Sequence, residues 1–147
     1  MKKDNSIIIG SGVIGSYLAK FLLSKKQRII VTSRKRKKSY TNYNKLDIEN
    51  KVIFEELDVL KKNEILKLLK KYTPKNIFYF SGQSSLTKSI KLKKVTNDSN
   101  YIGAKKILEI LHKYELKTNF YKANSGYIFE PNKGLVNIKS KISKNKN

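Results

Sequence analysis

The chain has 147 residues, 39% of them hydrophobic, and carries 33 basic against 11 acidic side chains for a formal net charge of +22. This length suits one domain, and this composition suits a packed core rather than a disordered chain. No apolar run reaches the roughly 18 to 20 residues that cross a bilayer, and the N-terminus lacks a secretory signal pattern. Without cysteine and with a single histidine, His112, the chain offers no disulfide and no metal cluster. We expect one metal-free cytoplasmic domain.

The positive charge raises nucleic acid as a partner, because clustered Lys and Arg neutralise phosphates. Nearly all of the basic residues are dispersed Lys, however, and only Arg28, Arg34 and Arg36 are Arg. No zinc-finger spacing, basic zipper or aromatic RNA-binding motif is present. The pattern favours a solvated basic surface over a dedicated nucleic-acid interface.

Short aliphatic runs alternate along the chain with longer segments of helical periodicity. The predicted strands are Ser6 to Ile9, Arg28 to Thr32, Val52 to Leu57, Ile77 to Phe80 and Asn119 to Ala123. The predicted helices have apolar faces made of Ile14, Leu18, Phe21 and Leu22, of Ile65, Leu66, Leu69 and Tyr72, and of Ala104, Ile107, Leu108 and Leu111. This alternation predicts an α/β fold: a Rossmann-like doubly wound parallel sheet with helices on both faces, in truncated form.

Two segments have no such pattern. Ser33 to about Asn50 reads as a basic polar loop, and residues 137–147 are almost devoid of apolar side chains. We therefore assign residues 1–136 to the folded domain and residues 137–147 to a basic flexible tail.

A glycine-rich turn follows the first predicted strand. Gly10, Gly12 and Gly15 fit the G-x-G-x-x-G pattern, with Val13 and Ile14 between the last two glycines. The first glycine permits a tight turn, the second lets a pyrophosphate approach the backbone, and the third allows close packing of helix on strand. Free N–H groups at the helix start then attract phosphate, so the turn predicts dinucleotide binding rather than an ordinary strand-to-helix connection.

The choice of dinucleotide depends on the end of the second strand. NAD sites place an acidic residue there for the ribose 2′-hydroxyl, whereas Arg accommodates the 2′-phosphate of NADP. This chain has no acidic residue between Gly15 and Asp47, and Ser33 and Arg34 follow the strand, with Lys35 and Arg36 behind them. We expect NADP as the cofactor, with NAD as the alternative.

Several segments together resemble the extended short-chain dehydrogenase/reductase family, the NAD-dependent epimerases and dehydratases, and most closely those of the GDP-mannose 4,6-dehydratase type. They are residues 15–23 of the first helix, residues 57–59 after the third strand, residues 80–85 after the fourth strand, and Asn100 with Gly103. The resemblance implies a nucleotide-sugar substrate. It also places Asp58 and Val59 near the adenine, and Ser81, Gly82 and Gln83 along the cofactor.

The resemblance further implies a catalytic hydroxyl at Ser125, after the fifth strand, and Tyr127 occupies the position where the dehydratases have a Glu. The family's Tyr and Lys pair follows that Ser by a little over 20 residues. The literal Tyr-x-x-x-Lys of this chain, Tyr101 and Lys105, precedes Ser125 and is interpreted as coincidental. We therefore expect cofactor binding without a complete catalytic cycle.

Three functions remain open from the sequence. The first is the cofactor domain of a nucleotide-sugar dehydratase or epimerase, for which a homo-oligomer is one possible assembly. The second is a catalytically silent NAD(P)-binding sensor or scaffold, and the third is a basic nucleic-acid binder. Cofactor titration separates the first two from the third.

Overall fold

A computed structural model describes residues 4–35, 40–82, 85–124, 129–130 and 136–142. Five strands form one sheet in the order β3-β2-β1-β4-β5, and all neighbouring strands are parallel. Their bounds are β1 Asn5–Ile9, β2 Arg28–Ser33, β3 Ile53–Glu56, β4 Asn76–Tyr79 and β5 Asn119–Lys122. The predicted Rossmann-like parallel sheet is confirmed.

Six α-helices connect the strands within the described residues. They are α1 Val13–Ser24, α2 Thr41–Lys45, α3 Lys62–Tyr72, α4 Leu86–Lys91, α5 Lys93–Asn97 and α6 Gly103–Lys113, with a 3-10 turn at Glu49–Lys51 and a π-helical turn at Asp98–Ile102. None of the helices described is both long and apolar enough to cross a membrane.

Each face of the sheet is covered by its own helices. On one face, α3 and α6 pack on side chains that include Ile7, Ile30 and Ile77. On the other face, α1 and the segment around α2 pack on Ile8, Ile29 and Val31. Consecutive residues of a strand point to opposite faces, so a run such as Ile7, Ile8 and Ile9 serves both cores, which explains its continuous hydrophobicity.

The predicted apolar face of α1 is wrong in part. Leu22 is buried, but Ile14 is 66% exposed and Phe21 is 56% exposed. The buried face contains Gly15, Ser16 and Ala19 together with Leu22. Small side chains let α1 lie close to the sheet. The face of α1 that is buried is therefore the one with small residues rather than the most hydrophobic one.

The predicted loop between Ser33 and Asn50 is also wrong in part, because it contains α2. Tyr40 is 5% exposed and Tyr43 is fully buried. The Tyr40 ring stacks on Phe54 with centroids 3.7 Å apart, and Tyr43 meets Phe54 edge to face at 5.1 Å. This segment therefore covers the β3 edge of the sheet with aromatic side chains.

The other differences concern the helix around Asn100 and the end of the chain. The helical segment that leads into α6 begins at Lys93, well before its first predicted apolar residue, Ala104, and Leu108 is half exposed while Ile110 is buried in the core. Phe129 and Ile142 form an isolated antiparallel bridge. The Glu130 carboxylate lies 3.7 Å from the Lys141 ammonium. The domain boundary at residue 136 stays a prediction.

Candidate functional site

The strand order places a crevice at the carboxyl end of the sheet. From β1 the chain proceeds outward to β2 and β3, and it then returns to β4 on the other side of β1. Ligands of open parallel sheets bind outside the carboxyl ends of the strands, at the point where the order reverses. The glycine turn that follows β1 lies at this point.

The three glycines of the turn differ in what a side chain at each position would contact. Gly10 has a φ of +112°, which is accessible to glycine, and a Cβ there would come within 3.0 Å of the backbone of Phe80 and Ser81. A Cβ on Gly15 would lie 2.5 Å from the Gly10 carbonyl oxygen, so α1 could not pack as closely on β1. A Cβ on Gly12 would meet nothing within 4 Å. The space above Gly12 is thus open to a ligand.

Gly12 is also the residue that precedes the first turn of α1. Its carbonyl accepts a hydrogen bond from the Ser16 N–H at 3.0 Å, while Val13 and Ile14 are exposed at the helix start. The first N–H groups of a helix have no partner within the helix and carry the positive end of its dipole. This arrangement of backbone groups suits a phosphate.

A cavity of about 720 Å³ opens beside the turn. Of the predicted cofactor-binding residues, Gly10, Ser33, Arg34, Asp58, Val59 and Ser81 line it. Gly12, Val13, Ile14 and Gly15 continue from the lining residue Ser11 into α1, and Gly82 adjoins Ser81. Gln83 and Ser125 lie outside the described residues, so their predicted roles stay predictions.

Ser33 and Arg34 form one end of the cavity. The Ser33 hydroxyl donates to the Lys35 carbonyl at 2.8 Å and lies 3.0 Å from the Tyr40 hydroxyl. Tyr40 is itself held by its stack on Phe54, so the serine is fixed by a rigid neighbour. Arg34 and Lys35 are exposed at the cavity mouth. This end therefore combines a hydroxyl with two cations.

Asp58 lies on the β3 side of the cavity. Its Oδ1 accepts from the Leu60 N–H at 2.9 Å, and its own N–H donates to Glu64 Oε2 at 2.9 Å. The opposite oxygen of Glu64 pairs with the Lys61 ammonium at 2.8 Å. This hydrogen bond lowers the pKa of Glu64 and raises the pKa of Lys61, so both groups stay charged. The turn after β3 is thereby fixed.

Sequence reasoning missed several lining residues, namely Ser11, Thr32, Glu56, Lys61 and Glu64. Their only signal is position: Glu56 ends β3, and Lys61 and Glu64 flank the start of α3, at the sheet edge where such folds bind ligands. Ser33 and Glu56 are paired residues of adjacent strands. The acidic neighbour of Ser33 therefore comes from β3 and not from β2.

Gly82 lies close to Asn100, a contact that the sequence analysis did not predict. A Cβ on Gly82 would lie 2.6 Å from Asn100 Oδ1. Asn100 belongs to the π-helical turn Asp98–Ile102, and turns of this kind are frequent at functional sites. Neither Tyr101 nor Lys105 lines the cavity, and the Lys105 ammonium lies 5.9 Å from the centre of the Tyr101 ring.

A family model described as GDP-mannose 4,6 dehydratase matches residues 7–130. The chain belongs to this family. The match extends from β1 past β5, so it includes the glycine turn, the Asp58 turn and the Gly82 turn. The family assignment agrees with the resemblance found in the sequence.

Individual relatives agree with this family assignment. The chain is 30% identical to GDP-mannose 4,6-dehydratase of Vibrio cholerae, over 92% of this chain and 38% of that protein. It is 29% identical to CDP-paratose 2-epimerase of Salmonella typhi, over 82% of this chain and 36% of that protein. The chain thus spans less than two fifths of the length of these curated relatives.

Solved structures share the fold. UDP-Glc/GlcNAc 4-epimerase from Campylobacter jejuni matches with a TM-score of 0.82 at 17% identity, over 95% of this chain and 43% of that chain. UDP-glucose 4-epimerase from Brucella ovis, solved in complex with NAD, matches with a TM-score of 0.79 at 18% identity, over 95% and 42% of the two chains. At these identities the likeness concerns the fold alone.

Proposed function

We propose that this chain is the NADP-preferring cofactor domain of a nucleotide-sugar dehydratase or epimerase. The observation that carries the proposal is the open space above Gly12 at the start of α1, next to a cavity with Ser33 and Arg34 at one end. The family and its relatives support the nucleotide-sugar substrate.

The residues present fit a dinucleotide. The N–H groups that begin α1 would hold the pyrophosphate, and Gly12 leaves room for it. Asp58 would take the adenine side, while Ser33 and Arg34 would contact the ribose and its 2′-phosphate. A guanidinium presents several N–H donors to a phosphate in fixed geometry, which makes Arg34 the principal 2′-phosphate contact.

The reaction side of the proposal rests on the family resemblance. A bound nicotinamide accepts and returns a hydride. Ser125 would donate a hydrogen bond to the sugar oxygen. Tyr101 and Lys105 lie on a helix away from the cavity lining, so we propose that they take no part in catalysis.

The competing function is a catalytically silent NAD(P)-binding module. We propose that the 147-residue chain binds cofactor without turnover. Incubation with GDP-mannose and NADP should give no keto-sugar, and Tyr101→Phe should change nothing. Turnover that is abolished by Tyr101→Phe would show that the pair is catalytic and that the chain is active.

Cofactor preference tests the binding proposal directly. Arg34→Ala should weaken NADP binding about tenfold and NAD binding less than twofold, because one charge-assisted contact to the 2′-phosphate is lost. Arg28→Ala is the matched control, since Arg28 begins the same strand at its other end and its guanidinium lies 5.7 Å from the centre of the Tyr72 ring. Equal losses for both cofactors, or tighter NAD binding by the parent chain, would contradict an NADP preference.

A further inference from the structure

The cavity differs in charge from the rest of the molecule. The whole chain has three times as many basic as acidic residues, 33 against 11. The cavity lining has three of each: Arg34, Lys35 and Lys61 against Glu56, Asp58 and Glu64. The basic surface therefore does not continue through the site, and the role of each carboxylate can be considered separately.

Two of the three carboxylates have structural partners. Asp58 caps the Leu60 N–H, and Glu64 binds both the Asp58 N–H and the Lys61 ammonium. Glu56 is exposed at the end of β3 and lines the same cavity as Lys61. No hydrogen bond or ion pair of its side chain occurs among the described residues. Glu56 is thus free to act on a ligand.

Register places Glu56 beside the predicted ribose contact. Ser33 and Glu56 are paired across the parallel ladder, and the Leu57 N–H donates to the Ser33 carbonyl at 2.9 Å. Two residues earlier, the paired Val31 and Phe54 both pack on the core that contains α1 and Tyr40. Because side chains alternate along a strand, Ser33 and Glu56 point to that same face. The contact between the Ser33 and Tyr40 hydroxyl groups, 3.0 Å apart, places the Ser33 side chain on that face.

We propose that Glu56 determines cofactor specificity: its carboxylate accepts a hydrogen bond from the 2′-hydroxyl of NAD and opposes the 2′-phosphate of NADP. The inference rests on the dinucleotide site proposed above. An acidic residue at the end of β2 is the usual acceptor for the ribose hydroxyl. Here β2 ends in Ser33 and is followed by Arg34, and the adjacent strand supplies the carboxylate.

Arg34 and Glu56 then act in opposite directions on the same ligand position. Arg34 attracts a 2′-phosphate, and Glu56 repels it while giving a 2′-hydroxyl its acceptor. The site consequently takes both dinucleotides, and the balance between the two side chains sets a modest preference for NADP.

Removal of the negative charge of Glu56 tests the proposal. Glu56→Gln keeps the size of the exposed side chain, and it should raise the ratio of NADP to NAD affinity about fivefold, the effect of one charge pair about 4 Å apart at the dielectric constant of bulk water. Glu56→Lys should move the ratio further in the same direction. Glu115→Gln is the matched control, since it removes the same charge from the turn before β5, at the amino end of the strands.

Binding of four ligands gives the readout: NAD, NADP, 5′-AMP and 2′,5′-ADP, titrated by calorimetry into each folded variant. The last two ligands differ at the 2′ position alone, so their ratio isolates that contact. A ratio that Glu56→Gln leaves unchanged, with all ligands bound, overturns the role of Glu56 while the cofactor site stands. Failure of all four ligands to bind the parent chain overturns the proposed function, and the inference with it.

Discussion

The effect of adding one methyl group differs among the three glycines of the turn, because the surroundings of each differ. The positive φ of Gly10 excludes most side chains, and Gly15 touches the strand beneath it. Gly12 has an extended conformation, with φ −79° and ψ −173°, and open space around it, so the protein itself would tolerate alanine there. A ligand would be the reason for a glycine at this position.

Gly12→Ala should therefore lower dinucleotide affinity at least tenfold and leave the free energy of unfolding nearly unchanged. The methyl group would occupy space that the pyrophosphate needs. Calorimetric titration with NADP and urea unfolding measure the two effects. Unchanged binding would mean that Gly12 has only a structural role in the turn.

Gly15→Ala is the control within the same motif. Its Cβ would lie 2.5 Å from the Gly10 carbonyl oxygen and 3.3 Å from the Tyr43 hydroxyl. Overpacking of this kind costs typically about 1 to 3 kcal/mol. Stability should fall here, in contrast to Gly12→Ala, and equal stability of the two variants would contradict the close packing of α1 on β1.

Two buried tyrosines differ in what their hydroxyl groups contact. The Tyr79 hydroxyl donates to the Ser99 carbonyl at 2.5 Å, whereas the buried Tyr43 hydroxyl has no hydrogen-bond partner in the part of the chain that the structure describes. Removal of a satisfied hydroxyl costs about 1 kcal/mol, and removal of an unsatisfied one is neutral or stabilising. Tyr79→Phe should thus destabilise the fold and Tyr43→Phe should not, as measured by urea unfolding at pH 7.

The same burial makes stability depend on alkaline pH. Desolvation raises the pKa of Tyr79 to about 12, whereas an unfolded tyrosine titrates near pH 10. The stabilising contribution of neutral Tyr79 is therefore complete below about pH 10 and is lost as the pH rises toward 12. Between these values the free energy of unfolding should fall less steeply in Tyr79→Phe than in the parent chain, and parallel pH profiles would contradict the burial of Tyr79.

At the scale of elements, the strands were predicted well and two helical segments were not. The clearest signals are those of β1 and β2, which are short aliphatic runs buried on both faces of the sheet. The segment around α2 looks polar because its Tyr40 and Tyr43 are separated by Thr and Asn residues, and its core position becomes evident only when Phe54 of β3 lies beneath it. Such a tertiary contact has no local sequence signal.

Part of the lining of the cavity could be predicted from the sequence. Gly10, Ser33, Arg34 and Asp58 lie at the ends of strands or within two residues after them, so knowledge of the strands placed them at the same sheet edge. Glu56 required the register between β2 and β3, which a pattern of hydrophobic residues does not specify at the level of single pairs. The sequence thus indicated which strand ends form the site, and the structure indicated which side chains meet there.

The π-helical turn Asp98–Ile102 connects α5 to the start of α6 and contacts the end of β4. Besides the Tyr79 bond to Ser99, a Cβ on Gly103 would lie 2.5 Å from the Tyr79 hydroxyl and 2.6 Å from Val59 Cγ2. Val59 lines the cavity, so this packing connects the turn to the site. Gly103→Ala should lower stability by about 1 to 3 kcal/mol through overpacking. A variant as stable as the parent in urea would contradict this close contact.

Charge acts at the scale of the whole molecule. A net charge of +22 on a 17.0 kDa chain opposes the compact state through self-repulsion, which salt screens. Ion pairs such as Lys51 with Asp47 and Lys62 with Glu109 join side chains that are mostly exposed, and pairs of this kind contribute little that salt could remove. Screening should therefore stabilise this protein.

Raising NaCl from 0.01 to 0.1 M shortens the Debye length from about 30 to about 10 Å. We expect Tm to rise by about 2 to 4 °C over this range, which corresponds to roughly 1 kcal/mol for a chain of this size. NADP affinity should fall over the same range, since the ligand is an anion that the basic chain attracts. Sodium sulfate at matched ionic strength provides the control: equal Tm values indicate general screening, whereas a higher Tm in sulfate indicates a stabilising effect of that anion beyond screening. A Tm that stays constant or falls with NaCl would contradict self-repulsion as a determinant of stability.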